Sequence, residues 1–197
     1  DKNVIAEVEK ITDISMVRFT PNESLIEYLD ERFDEIYIDK ILGLSLSPEL
    51  IKKHEDLKFV YTPIHGTGGQ IIPRLFKKAG FNNIDCVEEQ MIVDGNFPTV
   101  VSPNPEEKAA LTMAIEKAKI ANADVVLATD PDADRVGIAV RDNNGEFVLL
   151  NGNQTAALLT YYILSRWSEL GKFTGKEYIV KTIVTTELLS DIANKYN

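Results

Sequence analysis

One cysteine, Cys86, stands in 197 residues, so the chain cannot close an internal disulfide and suits a reducing compartment. No apolar run approaches the roughly 20 residues that cross a bilayer. The opening stretch DKNVIAEVEK lacks the basic region and apolar core of a secretory leader. The expectation is a cytoplasmic protein with no membrane partner. Positive charge is also scarce: 21 Lys and Arg against 31 Asp and Glu leave a net charge of -10. That argues against a nucleic-acid partner, because such proteins carry a basic face. A phosphorylated ligand is not excluded, since an anion site can be built from a few local groups and a metal. An initiator Met is missing too: the chain starts at Asp1 and stops at Asn197 inside a helix-like pattern, as a portion of a longer protein would.

What is present is an alternation of strands and helices. Residues 1–20 read as a connector with a strand in ISMVRF. Leu25, Ile26, Leu29, Phe33 and Ile36 fall at helical spacing, with Asn22 placed to cap. The strand LKFVYTP leads into the glycine turn HGTGG and a helix carrying Ile71, Ile72, Leu75 and Phe76, stopped by Gly80. NNIDCVEE reads as a strand, and a helix from Asn104, Pro105, Glu106 and Glu107 runs on to residue 123. ADVVLATD, RVGIAV and EFVLL are further strands, the last two joined by DNNG. The pattern predicts an α/β fold, an open mixed sheet with flanking helices over residues 21–150. A partial start of a second, similar α/β unit follows over 151–197: the helix NQTAALLTYYILSRWSEL, the strand KEYIVKTIV and the helix TELLSDIANKY.

The chemistry concentrates in ATDPDADRVGIAV, residues 128–140. Side chains at i, i+2 and i+4 of extended backbone project to one side, so Asp130, Asp132 and Asp134 can converge on one point. Carboxylate oxygens suit hard cations, with Mg2+ the usual choice beside phosphate. An EF-hand is excluded, because Pro131, Arg135 and Arg141 occupy positions that its loop needs otherwise. Either a cation site or a solvated acidic turn fits the spacing. The end of an apolar strand is where open α/β sheets hold ligands. Arg135 is either a planar fork for a phosphate or a counter-ion for the aspartates.

Other candidates divide the same way. The amides of TPIHGTGGQ could cradle an anion at a helix start, or Gly66, Gly68 and Gly69 could simply allow a tight turn and close packing. Ile71 stands where the dinucleotide fingerprint needs its third glycine, and a P-loop's Lys-Ser/Thr pair is absent, while Glu88 lies near the place of a ribose-binding acid. His65 is a site residue or a local hydrogen-bond partner. Ser102 in SPNP reads as structural, and Lys181 in YIVKTIV as either a solvent-facing residue or a charge offered to a ligand.

Taken in order, TPIHGTGG, FPTVVSPNPEE, ATDPDADRVGIAV and NGNQTAALL resemble the α-D-phosphohexomutase family, the phosphoglucomutases and phosphomannomutases. The resemblance implies four domains in the parent, of which residues 21–150 match the second, with its metal loop, and 151–197 the start of the third. It implies Mg2+ held by Asp130, Asp132 and Asp134, with Arg135 beside an enzyme phosphoserine and Lys181 reaching the substrate. The implied reaction moves a phosphoryl group between the 1 and 6 positions of glucose or mannose phosphate through a bisphosphate. The serine-bearing S-H-N-P loop of the first domain, the sugar-reading G-E-x-S-G-H loop and any match to the fourth domain are absent. The chain alone is therefore expected to be inactive, with domains I and IV as missing partners. The alternatives are a mutase for another sugar phosphate, such as a phosphopentose, and a non-catalytic nucleotide-binding α/β module.

Overall fold

Five strands form one sheet: β1 (Lys58–Thr62), β2 (Asn83–Cys86), β3 (Val125–Thr129), β4 (Val136–Arg141) and β5 (Phe147–Leu150), in the spatial order β2-β1-β3-β4-β5. The structure is a computed structural model and describes residues 1–196. β1 pairs in parallel with both β2 and β3, whereas β3, β4 and β5 form an antiparallel meander. Among the described residues the α-helices are α1 (Lys2–Val8), α2 (Glu31–Leu42), α3 (Pro48–Lys53), α4 (Gly68–Ala79), α5 (Thr112–Ala121), α6 (Gly152–Glu169) and α7 (Leu188–Asn194). The mixed open sheet with flanking helices is the architecture that the alternating pattern predicts.

Alternation along β1 explains why both faces are covered. Phe59 looks one way, its ring 5.8 Å from that of Phe76 on α4 and 5.0 Å from that of Phe81. Val60 looks the other way, into a core with Val126 and Ala128 of β3, Ala139 of β4 and Leu111, Ala114 and Ala118 on the α5 side. The alanines let α5 lie close to the sheet, and each buried Val or Leu contributes roughly 1.5–3 kcal/mol. Gly80, at φ 108°, ends α4 in the left-handed conformation expected of a helix-stopping glycine.

The chain divides into two compact units, Asp1–Glu35 and the remainder from Ile36. The first contains α1 and two short 3-10 turns, Ile14–Met16 and Glu23–Leu25, and none of its residues is buried. The strand expected in ISMVRF is thus a 3-10 turn, closed by the Asp13 side chain accepting from the Ser15 amide. Asn22 does cap, but it caps the second of these turns, and the helix expected from it begins nine residues later, at Glu31. Leu25 and Leu29 stay exposed, and a short helix with no apolar face to bury is marginal.

Two further expectations shift. The helix expected from Asn104 opens as a run of turns, with Glu107, Ala110, Leu111 and Thr112 each bonding three residues back, and becomes α-helical only at Thr112. The cause is packing: a Cβ at Gly137 would lie 2.1 Å from the Pro105 carbonyl oxygen, so this segment is pressed flat against β4. The strand expected in KEYIVKTIV is absent, and Tyr178, Val180, Ile183 and Val184 are exposed with no neighbouring strand to pair with. The flanking helices do form, α6 opening on a capping box between Asn151 and Gln154.

Candidate functional site

β3 is central and apolar, and it delivers Asp130 to the carboxyl end of the sheet with 1% of its surface exposed. The chain then turns within residues 130–135 and re-enters the sheet as β4, with Thr129 opposite Val136. The Ala133 amide donates to the Asp130 carbonyl at 3.0 Å, and Ala133 itself takes a left-handed φ of 60°. The three aspartates converge, but through this tight loop rather than through the extended backbone that their spacing suggested. One carboxylate oxygen from each of Asp130, Asp132 and Asp134 lies within 4.8 Å of the others.

Arg135 organises the innermost of the three. Its backbone amide donates to one Asp130 oxygen at 2.9 Å and its Nε to the other at 2.7 Å. Burial would push the Asp130 carboxyl up, but the Arg135 amide and guanidinium outweigh it and hold the group below its ordinary range. Asp134 goes the other way, pushed up by the negative charges of Asp132 and Asp130 beside it. Such a loop concentrates negative charge and repels itself, and a cation would relieve that repulsion. The donor set fits a hard divalent ion. Two oxygens on one Mg2+ lie about 3.0 Å apart when adjacent and about 4.2 Å apart when opposite, given octahedral bonds of about 2.1 Å, so the three must draw together from their present spread to share one ion. Asp132 and Asp134 are exposed and able to make that movement.

The glycine turn lies directly against this loop. A Cβ on Gly66 would lie 2.4 Å from the Cα of Pro131, and one on Gly68 would lie 2.6 Å from the Tyr61 hydroxyl. The close-packing account of these glycines is therefore the right one for both. The amides of His65, Gly66 and Thr67 donate within the fold, to the carbonyls of Gln90, Pro63 and Pro131, which leaves an anion cradle only the first-turn amides of α4. Glu88, the candidate ribose acid, is ion-paired with Lys117 at 2.6 Å.

His65 is buried and serves as a local hydrogen-bond partner. Its Nδ1 faces the Ile92 carbonyl at 2.9 Å, and since a carbonyl only accepts, this nitrogen carries a proton. In the neutral ring Nε2 then accepts from the Thr99 hydroxyl at 2.9 Å. Thr99 in turn accepts from Gln90 Nε2, while Gln90 Oε1 accepts from the Thr62 hydroxyl. Thr99 and Gln90 carry no local sequence signal for this role, being 34 and 25 residues from His65. Ser102 donates to Glu107, in keeping with its structural reading. Lys181 donates to Glu187 at 2.6 Å and to the carbonyls of Thr182 and Thr185, all within its own segment. It also lines a cavity of about 930 Å3 with Trp167, Phe173 and Tyr178.

The family model described as "Phosphoglucomutase/phosphomannomutase, alpha/beta/alpha domain II" matches residues 35–145, over half of the chain. The chain belongs to the phosphoglucomutase/phosphomannomutase family. Within the family, a Haemophilus influenzae protein named "Probable phosphomannomutase" is 34% identical over 198 residues, covering 100% of this chain and 38% of that protein. A Staphylococcus aureus phosphoglucomutase is 42% identical over 142 residues, 72% of this chain and 25% of that one. The chain thus spans well under half the length of these relatives. A crystallised Thermus thermophilus protein shares the fold with a TM-score of 0.62 at 22% identity, over 86% of this chain and 35% of that one.

Proposed function

We propose that the chain is the central portion of a Mg2+-dependent phosphohexomutase, with residues 21–150 as its second domain and 151–197 as the opening of its third. The parent would act on glucose or mannose phosphates, with a hexose bisphosphate as the intermediate and its own domains I and IV as partners. A cytoplasmic location fits the single cysteine.

In this reading Asp130, Asp132 and Asp134 each give one oxygen to the ion. When bound, Mg2+ supplies Lewis-acid neutralisation of the charge on a transferring phosphoryl group. Arg135 has two jobs. Its amide and Nε fix Asp130, and its half-exposed guanidinium offers the rest of its fork to a phosphate oxygen arriving beside the aspartates. Lys181 would bring a second positive charge to the substrate once it is freed from Glu187 in the completed third domain. The phosphoryl group itself would come from a phosphoserine, whose S-H-N-P loop has no counterpart in these residues. The chain alone is therefore expected not to interconvert glucose 1-phosphate and glucose 6-phosphate, and measurable turnover would contradict this.

The observation that carries the proposal is the approach of three aspartate oxygens to within 4.8 Å of one another at the carboxyl end of a central strand. Calorimetric titration with Mg2+ tests it. Saturable binding to the wild-type chain should disappear in Asp132→Asn, a change at an exposed side chain that leaves the core untouched. Equal binding by both proteins would overturn the assignment.

A further inference from the structure

We infer that the turn at residues 63–68 is a buttress for the aspartate loop, with Gly66 and Thr67 as positioning residues that set the cation affinity of a site they do not touch. This inference rests on the metal reading given above and adds to it the part of the fold that holds the ligands in place.

The turn and the loop are 65 residues apart in sequence yet meet through two kinds of contact. Gly66 is buried against Pro131, so close that a methyl group would lie 2.4 Å from the Pro131 Cα and 2.6 Å from its carbonyl oxygen. That same carbonyl accepts twice from Thr67, from the amide at 2.9 Å and from the hydroxyl at 3.1 Å. Pro131 sits between Asp130 and Asp132, so whatever fixes its peptide fixes the relative placement of two of the three carboxylates. Underneath, the Tyr61 hydroxyl meets the Thr129 hydroxyl at 2.9 Å, securing the residue before Asp130.

The turn reaches this position at a conformational cost. Ile64 and His65 both take positive φ, 46° and 63°, which is unusual for any side chain and most of all for a β-branched one. Such a shape persists only where the surroundings over-determine it. Here the Ile64 amide donates to the Thr62 hydroxyl, the His65 amide to the Gln90 carbonyl, and both His65 ring nitrogens are bonded. These two strained residues lead directly into Gly66 and its contact with Pro131.

Groups that orient metal ligands typically set affinity by 10–100-fold. The test measures Mn2+ affinity of the full 197-residue chain by electron paramagnetic resonance, with metal-free melting temperature recorded for every variant. Gly66→Ala should weaken Mn2+ about tenfold or more, and Thr67→Val by a few-fold, with Thr67→Ser restoring wild-type affinity because it keeps the hydroxyl. Phe147→Leu is the control for lost stability alone: it lies on β5 opposite Arg141, at the far end of β4 from the loop, and should lower the melting temperature without changing affinity. Thr67 is exposed, so its variants fold even if Gly66→Ala does not. If the wild type binds Mn2+ in an Asp132-dependent way but Thr67→Val and Gly66→Ala bind equally well, the buttress falls and the metal site stands. If the wild type shows no Asp132-dependent binding, the metal reading fails and takes the buttress with it.

Discussion

Two stretches of this chain look alike as sequence and differ completely as structure. KFVYT, residues 58–62, and YIVKTIV, residues 178–184, are both rich in β-branched and aromatic residues and both contain a lysine. The first is β1, with four of its five residues buried and strands on both sides. The second has no strand, and Val180 and Val184 lie more than 80% exposed. The lesson is that strand propensity describes fitness for a half-buried surface, not a backbone preference that acts unaided. β1 finds β2 and β3 already in place, whereas residues 178–184 find only two helices nearby, and helices offer no free amides and carbonyls to a strand.

That contrast can be tested by substitution. The largest effect belongs to Gly137→Ala, because the new methyl would have to displace the Pro105 backbone from 2.1 Å. It should cost about 3 kcal/mol by urea denaturation, the upper end of what overpacking does. Next comes the direct comparison of the two stretches. Val60→Ala removes a fully buried side chain and should cost about 2 kcal/mol, while Val180→Ala should stay within about 0.5 kcal/mol. Equal costs at the two positions would mean that residues 178–184 are packed in solution, and the contrast would fail.

The smallest effect is electrostatic. Asp134 has its carboxyl pushed up by its two acidic neighbours, so at neutral pH its ionised form works against the folded, cation-free chain. Asp134→Asn should therefore raise the cation-free melting temperature slightly at neutral pH. The gain should shrink as pH falls through the raised value, where the wild-type carboxyl takes up its proton. Asp130 behaves oppositely: held low by Arg135, it stabilises the fold above its ordinary value, and that contribution is lost as pH falls through the lowered one. A melting temperature for Asp134→Asn below that of the wild type across the whole range would contradict the charge account.

The same contrast shows what a sequence makes legible. The sheet strands, α4 with its Gly80 stop and the acidic trio could all be read, since each rests on local periodicity or on residue types within a few positions. The helix expected from Asn22 and the strand expected over residues 176–184 do not form as their local patterns predict, because each depends on a surface that the local sequence does not mention. The late start of α5 depends on Gly137, more than 30 residues on from Pro105. Within the site, the carboxylates were evident but their backbone was not: a left-handed Ala133 and the contact of Gly66 with Pro131 join distant segments. His65 is one link in a buried polar chain with Thr62, Gln90 and Thr99, whose joining depends on contacts between segments 25 and more residues apart.

The central claim is that Asp130, Asp132 and Asp134 share one divalent cation, and crystals of the chain grown with Mn2+ test it most directly. The account predicts a single anomalous-scattering peak about 2.1–2.2 Å from one oxygen of each aspartate. A map with no peak at residues 130–134, or with one that touches only a single carboxylate, would contradict it.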